Sequence, residues 1–265
     1  MWLSVSALSG SSSVLAPWPQ SVSSLGHQCG VRTATAVYIP VSDRQAAWSL
    51  LSAWQEHPLA HFYGCFDLHY YLPTELHCAP QGVRQRLHCQ WNSPQSPLSS
   101  AAPQLLLVAN QDWGIAHSSP QQIVMPSTGS VALLGHEIGH WLGLVDEYAM
   151  SPELAEPFCH GHYQHPSLNV VVTTQQQMTA TELQAFWKRL PWHRAVSEWQ
   201  QLGVEQEDGQ WQLGSPEGII GLHAVATCAT VPNHYAWRPV PEMTPMQYHD
   251  IGVWPDLYLQ LSKPH

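Results

Sequence analysis

The apolar positions of this chain change period along its length, and those periods predict its elements. Residues 33–40, TATAVYIP, are β-branched and aromatic and predict a strand. Ser42 or Asp43 can cap the helix that follows. Its Ala47, Leu50, Leu51 and Trp54 have the i, i+3, i+4, i+7 spacing of one buried face, and Pro58 limits its length. Residues 67–72, DLHYYL, predict a second strand. The near-continuous apolar run QLLLVAN at 104–110 predicts a central one. Trp113 to Ala116 then lead to QIVM at 122–125, predicted as an edge strand ahead of a helix. Such an edge could hold an extended peptide by main-chain pairing, or be an ordinary hairpin strand.

Further on, Thr179 and Glu182 form a capping-box pattern that opens a helix through Leu183, Phe186 and Trp187 as far as Pro191. Another helical stretch is predicted over 192–202. Polar loops are predicted over 78–89 and 205–216, with a Ser/Pro-rich connector at 92–103. Residues 1–30, rich in Ser, Gly and Pro, read as a loosely ordered extension. The remainder, 31–265, reads as a single α+β domain: an upper sheet-and-helix half to about residue 142 and a loop-rich lower half, 143–265.

Chemistry concentrates in residues 130–148, SVALLGHEIGHWLGLVDEY. His136 and His140 stand at i and i+4, so a helix places both imidazoles on one face, able to share a metal ion. Glu137 projects beside them, within reach of a proton on a water bound there. Zinc suits such a site, with three protein ligands, a fourth position open to water, and a water pKa lowered to roughly 7. Gly143 can take the positive φ that ends a helix, and the chain could then return Asp146 as the third ligand. The Gly and Asp offsets distinguish this pattern from a chance HExxH in a histidine-rich chain. Glu147 would then point away, to orient a histidine or cap a backbone amide, with Tyr148 packed below the site.

The stretch His136-Glu137-x-x-His140-x-x-Gly143-x-x-Asp146 resembles the metzincin metallopeptidases with Asp as third ligand, such as snapalysin and the immune inhibitor A peptidases. Thr244-Pro245-Met246-Gln247-Tyr248 resembles the methionine turn of that class. The resemblance implies a methionine floor under the histidines and a tyrosine, Tyr248, that could donate to the developing oxyanion. The order of features is also similar to the IgA-specific metallopeptidase family. The matching features are an apolar strand ending in Asn110, Gly114, Asp146-Glu147-Tyr148, Asn169, Phe186-Trp187-Lys188, and Arg238-Pro239 before Met246. In that family the third ligand sits one residue further on, which would select Glu147; the shorter metzincin spacing selects Asp146.

Composition narrows the partners. A formal charge of -10 argues against nucleic acid or anionic membrane. No apolar run is long enough for a membrane helix, so no membrane insertion is expected. The 13 tryptophans suit core and subsite walls and permit, without requiring, sugar stacking. Six cysteines without a CxxC pair fit disulfides better than a cysteine metal site, which implies an oxidising compartment. Cys78 with Cys89 is one expected pair, across a short polar segment, and Cys159 with Cys228 another, across the lower half. Met1 to Pro17 lacks the basic start of an export signal, so secreted or periplasmic location rests on the cysteines and the enzyme class. His160, His162 and His165 beside Cys159 read as loop histidines rather than a second metal site.

The function expected is a zinc endopeptidase acting on protein or peptide substrates, with His136, His140 and Asp146 as ligands and Glu137 as general base. A zinc hydrolase of another amide, or a peptidase directed at glycoproteins, is the nearest alternative. A non-catalytic binding or toxin module that keeps the fold is the alternative from another class, and an intact Glu137 argues against it.

Overall fold

A computed structural model describes residues 21–23, 34–82, 85–92, 103–109, 115–163 and 167–262. The first sheet contains β1 (Ser21–Ser23), β2 (Thr35–Pro40), β3 (Cys65–Tyr71), β6 (Gln104–Val108), β7 (His117–Ser118) and β8 (Gln122–Pro126), in the order β1-β3-β2-β6-β8-β7. Strands β3, β2, β6 and β8 run parallel, and an antiparallel strand closes each edge. The inner strands β2 and β6 are buried on both faces, as their near-continuous apolar runs require, whereas β3 exposes Asp67 and His69.

Side-chain alternation divides these strands between two cores. Val37, Ile39, Leu105, Leu107, Ile123 and Met125 meet the helices α1 (Arg44–Trp54) and α2 (Val131–Trp141). Ala36, Tyr38, Leu106, Val108 and Val124 meet a hairpin of β4 (Leu76–Gln81) and β5 (Arg86–Trp91). On α1 the buried positions are Ala47, Leu50, Leu51 and Trp54, the face predicted from spacing.

Below α2 lie α3 (Pro152–Cys159), α4 (Ala180–Trp187), α5 (Asp256–Leu261) and two small sheets. One orders β10 (Gln177–Met178), β12 (Trp211–Leu213) and β11 (Gly203–Glu205). The other orders β13 (His223–Val225), β14 (Tyr235–Arg238) and β9 (Val171–Thr173). Leu183, Trp192, Trp237, Met246 and Tyr258 from this region join the same core as α1 and α2. Thr179 and Glu182 form the capping box expected at the start of α4.

Several expectations need correction. The strand at 122–125 is not an edge: β7 pairs with β8, and Ile123, Val124 and Met125 are buried. Two residues are too short to show a period, which hid β7. The segment 78–89 is a hairpin rather than a loop, with Gly82 and Gln85 at positive φ. Pro80 is accommodated because in a two-stranded pair it can keep its missing donor on the open side. Residues 192–202 hold two short 3₁₀ turns instead of a helix. The segment 205–216 contains β12, which pairs with β11 and β10. Of the N-terminal stretch only 21–23 is described, and it pairs with β3; the connector after 92, Asn110, Gly114 and His165 lie outside the described residues.

Both expected disulfides form, Cys78–Cys89 across the β4–β5 ladder and Cys159–Cys228 joining α3 to the segment before β14. They suit an extracellular or otherwise oxidising compartment, and among the described residues no helix is long and apolar enough to cross a membrane. Closing the longer loop removes more unfolded-state entropy. Replacing Cys159 and Cys228 together by alanine should therefore cost about 4 kcal/mol, against about 3 kcal/mol for Cys78 and Cys89. Urea unfolding of the two double variants checks the order; equal midpoints would contradict it.

Candidate metal centre

The site is built on both ends of α2. Ser130 caps its start, accepting from the Leu133 N–H at 3.0 Å. At its end Gly143 takes φ +87, a conformation that favours glycine. The Leu144 N–H bonds the Gly139 carbonyl and the Gly143 N–H bonds the His140 carbonyl, both at 3.0 Å. This is a Schellman turn, and it reverses the chain toward the helix face it has just left.

The reversal does two jobs. It presents the Leu144 carbonyl to Nδ1 of His140 at 3.0 Å, and it brings Asp146 across to the histidines. Asn169 fixes the returning strand by bonding both the N–H (2.8 Å) and the carbonyl (3.0 Å) of Val145. Thr227 donates to the Asp146 carbonyl at 2.8 Å. On the other side of the helix, the Pro245 carbonyl lies 2.9 Å from Nδ1 of His136.

A carbonyl only accepts, so both histidines carry their proton on Nδ1. Their Nε2 atoms are then bare acceptors when the rings are neutral. Both face Oδ1 of Asp146, at 3.1 Å from His136 and 3.3 Å from His140. That oxygen is buried and has no hydrogen-bond partner among the described residues. Three acceptors converging in this way repel one another unless a cation lies between them. Their donor atoms all fall within 4.8 Å of one another, so His136, His140 and Asp146 can hold a metal ion. A tetrahedral site with bonds of roughly 2.0–2.1 Å puts its donors roughly 3.3–3.4 Å apart, close to the separations found.

In the metal-free site a proton on His140 can take the place of that cation. Burial alone would lower the His140 imidazole, but the Asp146 carboxylate beside it outweighs burial and raises it to about 9. Burial would raise the Asp146 carboxyl, and the two histidines hold it well below the usual carboxylate range. Glu137 is 4% exposed, and burial pushes its carboxyl up despite the nearby histidines.

Glu137, His136, His140 and Asp146 all border one cleft of about 670 Å³. Its wall includes Ala116, His117 and Ser118 at β7, which makes that strand the sheet edge nearest the site. Met246 is fully buried against α2 and forms the expected apolar floor: a Cβ on Gly139 would meet its sulfur at 2.7 Å.

Three sequence expectations resolve differently. Glu147 points away from the site, as expected, yet it neither orients a histidine nor caps an amide. It bonds Asn169 (2.8 Å), Arg238 (2.9 Å), Thr244 (2.7 Å) and Tyr258. Tyr148 borders the cleft and stacks along His136, with ring centroids 6.3 Å apart, instead of packing below. Tyr248 is 57% exposed and is not part of the cleft wall, whose tyrosines are Tyr148 and Tyr163. In the histidine-rich loop, His160 pairs with Glu156 and packs on His234. Arg86 and Tyr163 also border the cleft, and no local sequence signal marked them.

No protein-family model matches the chain, and no curated protein matches it.

Proposed function

We propose that this protein is a zinc-dependent endopeptidase of metzincin-like architecture. The observation that carries the proposal is the set of three facing acceptors, His136, His140 and Asp146, with Glu137 at the same cleft. Two imidazoles and one carboxylate are a donor set that zinc favours, with a fourth position left for water. A bound zinc would supply Lewis acidity to that water and to the scissile carbonyl. The buried methionine beneath the helix and the Gly143 turn support the likeness to metzincins and to the IgA-specific metallopeptidases.

The chain's own residues divide the remaining work. His136 and His140 are held in the ligating tautomer by the Pro245 and Leu144 carbonyls. Glu137 takes the proton of the attacking water and passes it to the leaving amine nitrogen, a role that its raised carboxyl suits. The β7 edge offers backbone to an extended peptide, the role expected of the strand it now covers. As an exposed group outside the cleft, Tyr248 takes no part in this reading.

Metal analysis and digestion assays, with and without chelator, test the proposal together. One zinc per chain and chelator-sensitive cleavage are expected. Asp146→Ala and His140→Ala should each weaken zinc binding by more than about 100-fold, beyond the loss from altering a ligand's supporting partner. Full cleavage by metal-free protein would overturn the reading.

A further inference from the structure

Arg86 opens β5 and borders the cleft. Its neighbour Leu87 is 2% exposed in the core under the sheet, and strand alternation turns Arg86 the other way. The position is rigidly set. Ile115 bonds the Gln85 carbonyl at 3.0 Å and accepts from the Leu87 N–H at 3.2 Å, so the start of β5 is clamped to the chain entering β7. The Cys78–Cys89 disulfide ties β5 to β4.

Among the described residues, no carboxylate lies within ion-pair distance of the Arg86 guanidinium. The two carboxylates of the cleft wall, Glu137 and Asp146, belong to the catalytic centre. The neighbouring His117 is kept neutral because burial lowers its imidazole to about 4, with His88 and Arg86 adding to the effect. Among the described residues, Arg86 is therefore the one permanent cation bordering the cleft, in a chain whose formal charge is -10. A planar guanidinium with free donors matches one ligand chemistry best, the carboxylate.

We propose that Arg86 makes this wall of the cleft a subsite for a carboxylate of the peptide substrate, from an acidic side chain or a free C-terminus. The inference rests on the peptidase reading of the same cleft. It predicts preference for acidic peptides by a protein whose overall charge repels them. Such a pair at a partly exposed site is worth roughly tenfold in discrimination.

The experiment uses fluorescein-labelled peptides that differ only in glutamate against glutamine, with the glutamate moved through each position. Each peptide is prepared as free acid and as C-terminal amide. Cleavage is followed with the full chain, and binding by anisotropy with Glu137→Gln. The wild type should favour either one glutamate position, in acid and amide alike, or the free acid whatever the side chains; these outcomes separate the two carboxylate sources. Arg86→Gln should bring the acidic-to-neutral ratio to about one, Arg86→Lys should keep part of it, and Arg86→Glu should invert it. Cleavage with no preference for a carboxylate overturns the subsite and leaves the peptidase reading standing. Arg86-dependent binding of acidic peptides without cleavage upholds the subsite and overturns the peptidase reading.

Discussion

A Glu137→Gln variant is expected to keep its metal and its fold while losing turnover by about 10²–10⁴-fold. The fold should survive because the Glu137 side chain is not used structurally. Its neighbours on α2, Leu134 and Ile138, supply the core contacts. Among the described residues it has no ion pair, and its carboxyl is held up by burial with no compensating bond. Glutamine has nearly the same shape and relieves the cost of burying a charge, so thermal stability should hold or rise slightly. The metal should stay because the ligand atoms come from His136, His140 and Asp146. What glutamine cannot do is accept a proton from water. Zinc content, a melting curve and hydrolysis of a peptide library separate these effects. Wild-type turnover in the variant would exclude Glu137 as the base.

Replacing the adjacent Glu147 should act on a different quantity. Its carboxylate is fully buried and accepts from Asn169, Arg238, Thr244 and Tyr258, groups drawn from four separate parts of the lower half. Arg238 is 6% exposed. Glu147→Ala leaves that guanidinium buried without its counter-charge, which typically costs about 3–5 kcal/mol. The loss should appear as a lowered urea midpoint in metal-free protein, where ligand loss cannot contribute. A double-variant cycle gives the second reading: Glu147→Gln with Arg238→Met should cost less than the sum of the single changes. Additive costs would mean that the pair is not coupled.

These two residues show where sequence reading succeeds and where it stops. The helix spacing of His136 and His140, the glycine at 143 and the reach to Asp146 are local, and one turn's geometry converts them into a site. The same locality made α1 and the Thr179 capping box legible. Glu147 is the counter-example. Its partners lie up to 111 residues away, and no spacing rule joins Tyr258 to it. The hairpin carrying Arg86 was hidden for another reason: its strands, LHCAPQ and RLHCQW, pair with each other but are too polar to show the apolar alternation of a strand. The two-residue β7 has too few positions for alternation to register, yet it decides which strand forms the edge at the cleft.

One further consequence concerns descent. On α2, Gly135 and Gly139 lie one turn apart. A methyl group at Gly135 would meet His57 at 2.7 Å, and one at Gly139 the buried Met246 at the same distance, with Trp254 beside both. A side chain at either position would have to displace the His57 ring or the Met246 thioether packed against the helix. The packing of α2 thus favours small residues at 135 and 139, a demand separate from any made on Glu137 or on the group that could hold a metal. A related chain could keep both glycines, and with them the seat of this helix, while lacking Glu137; it would then share the scaffold without the chemistry proposed for it.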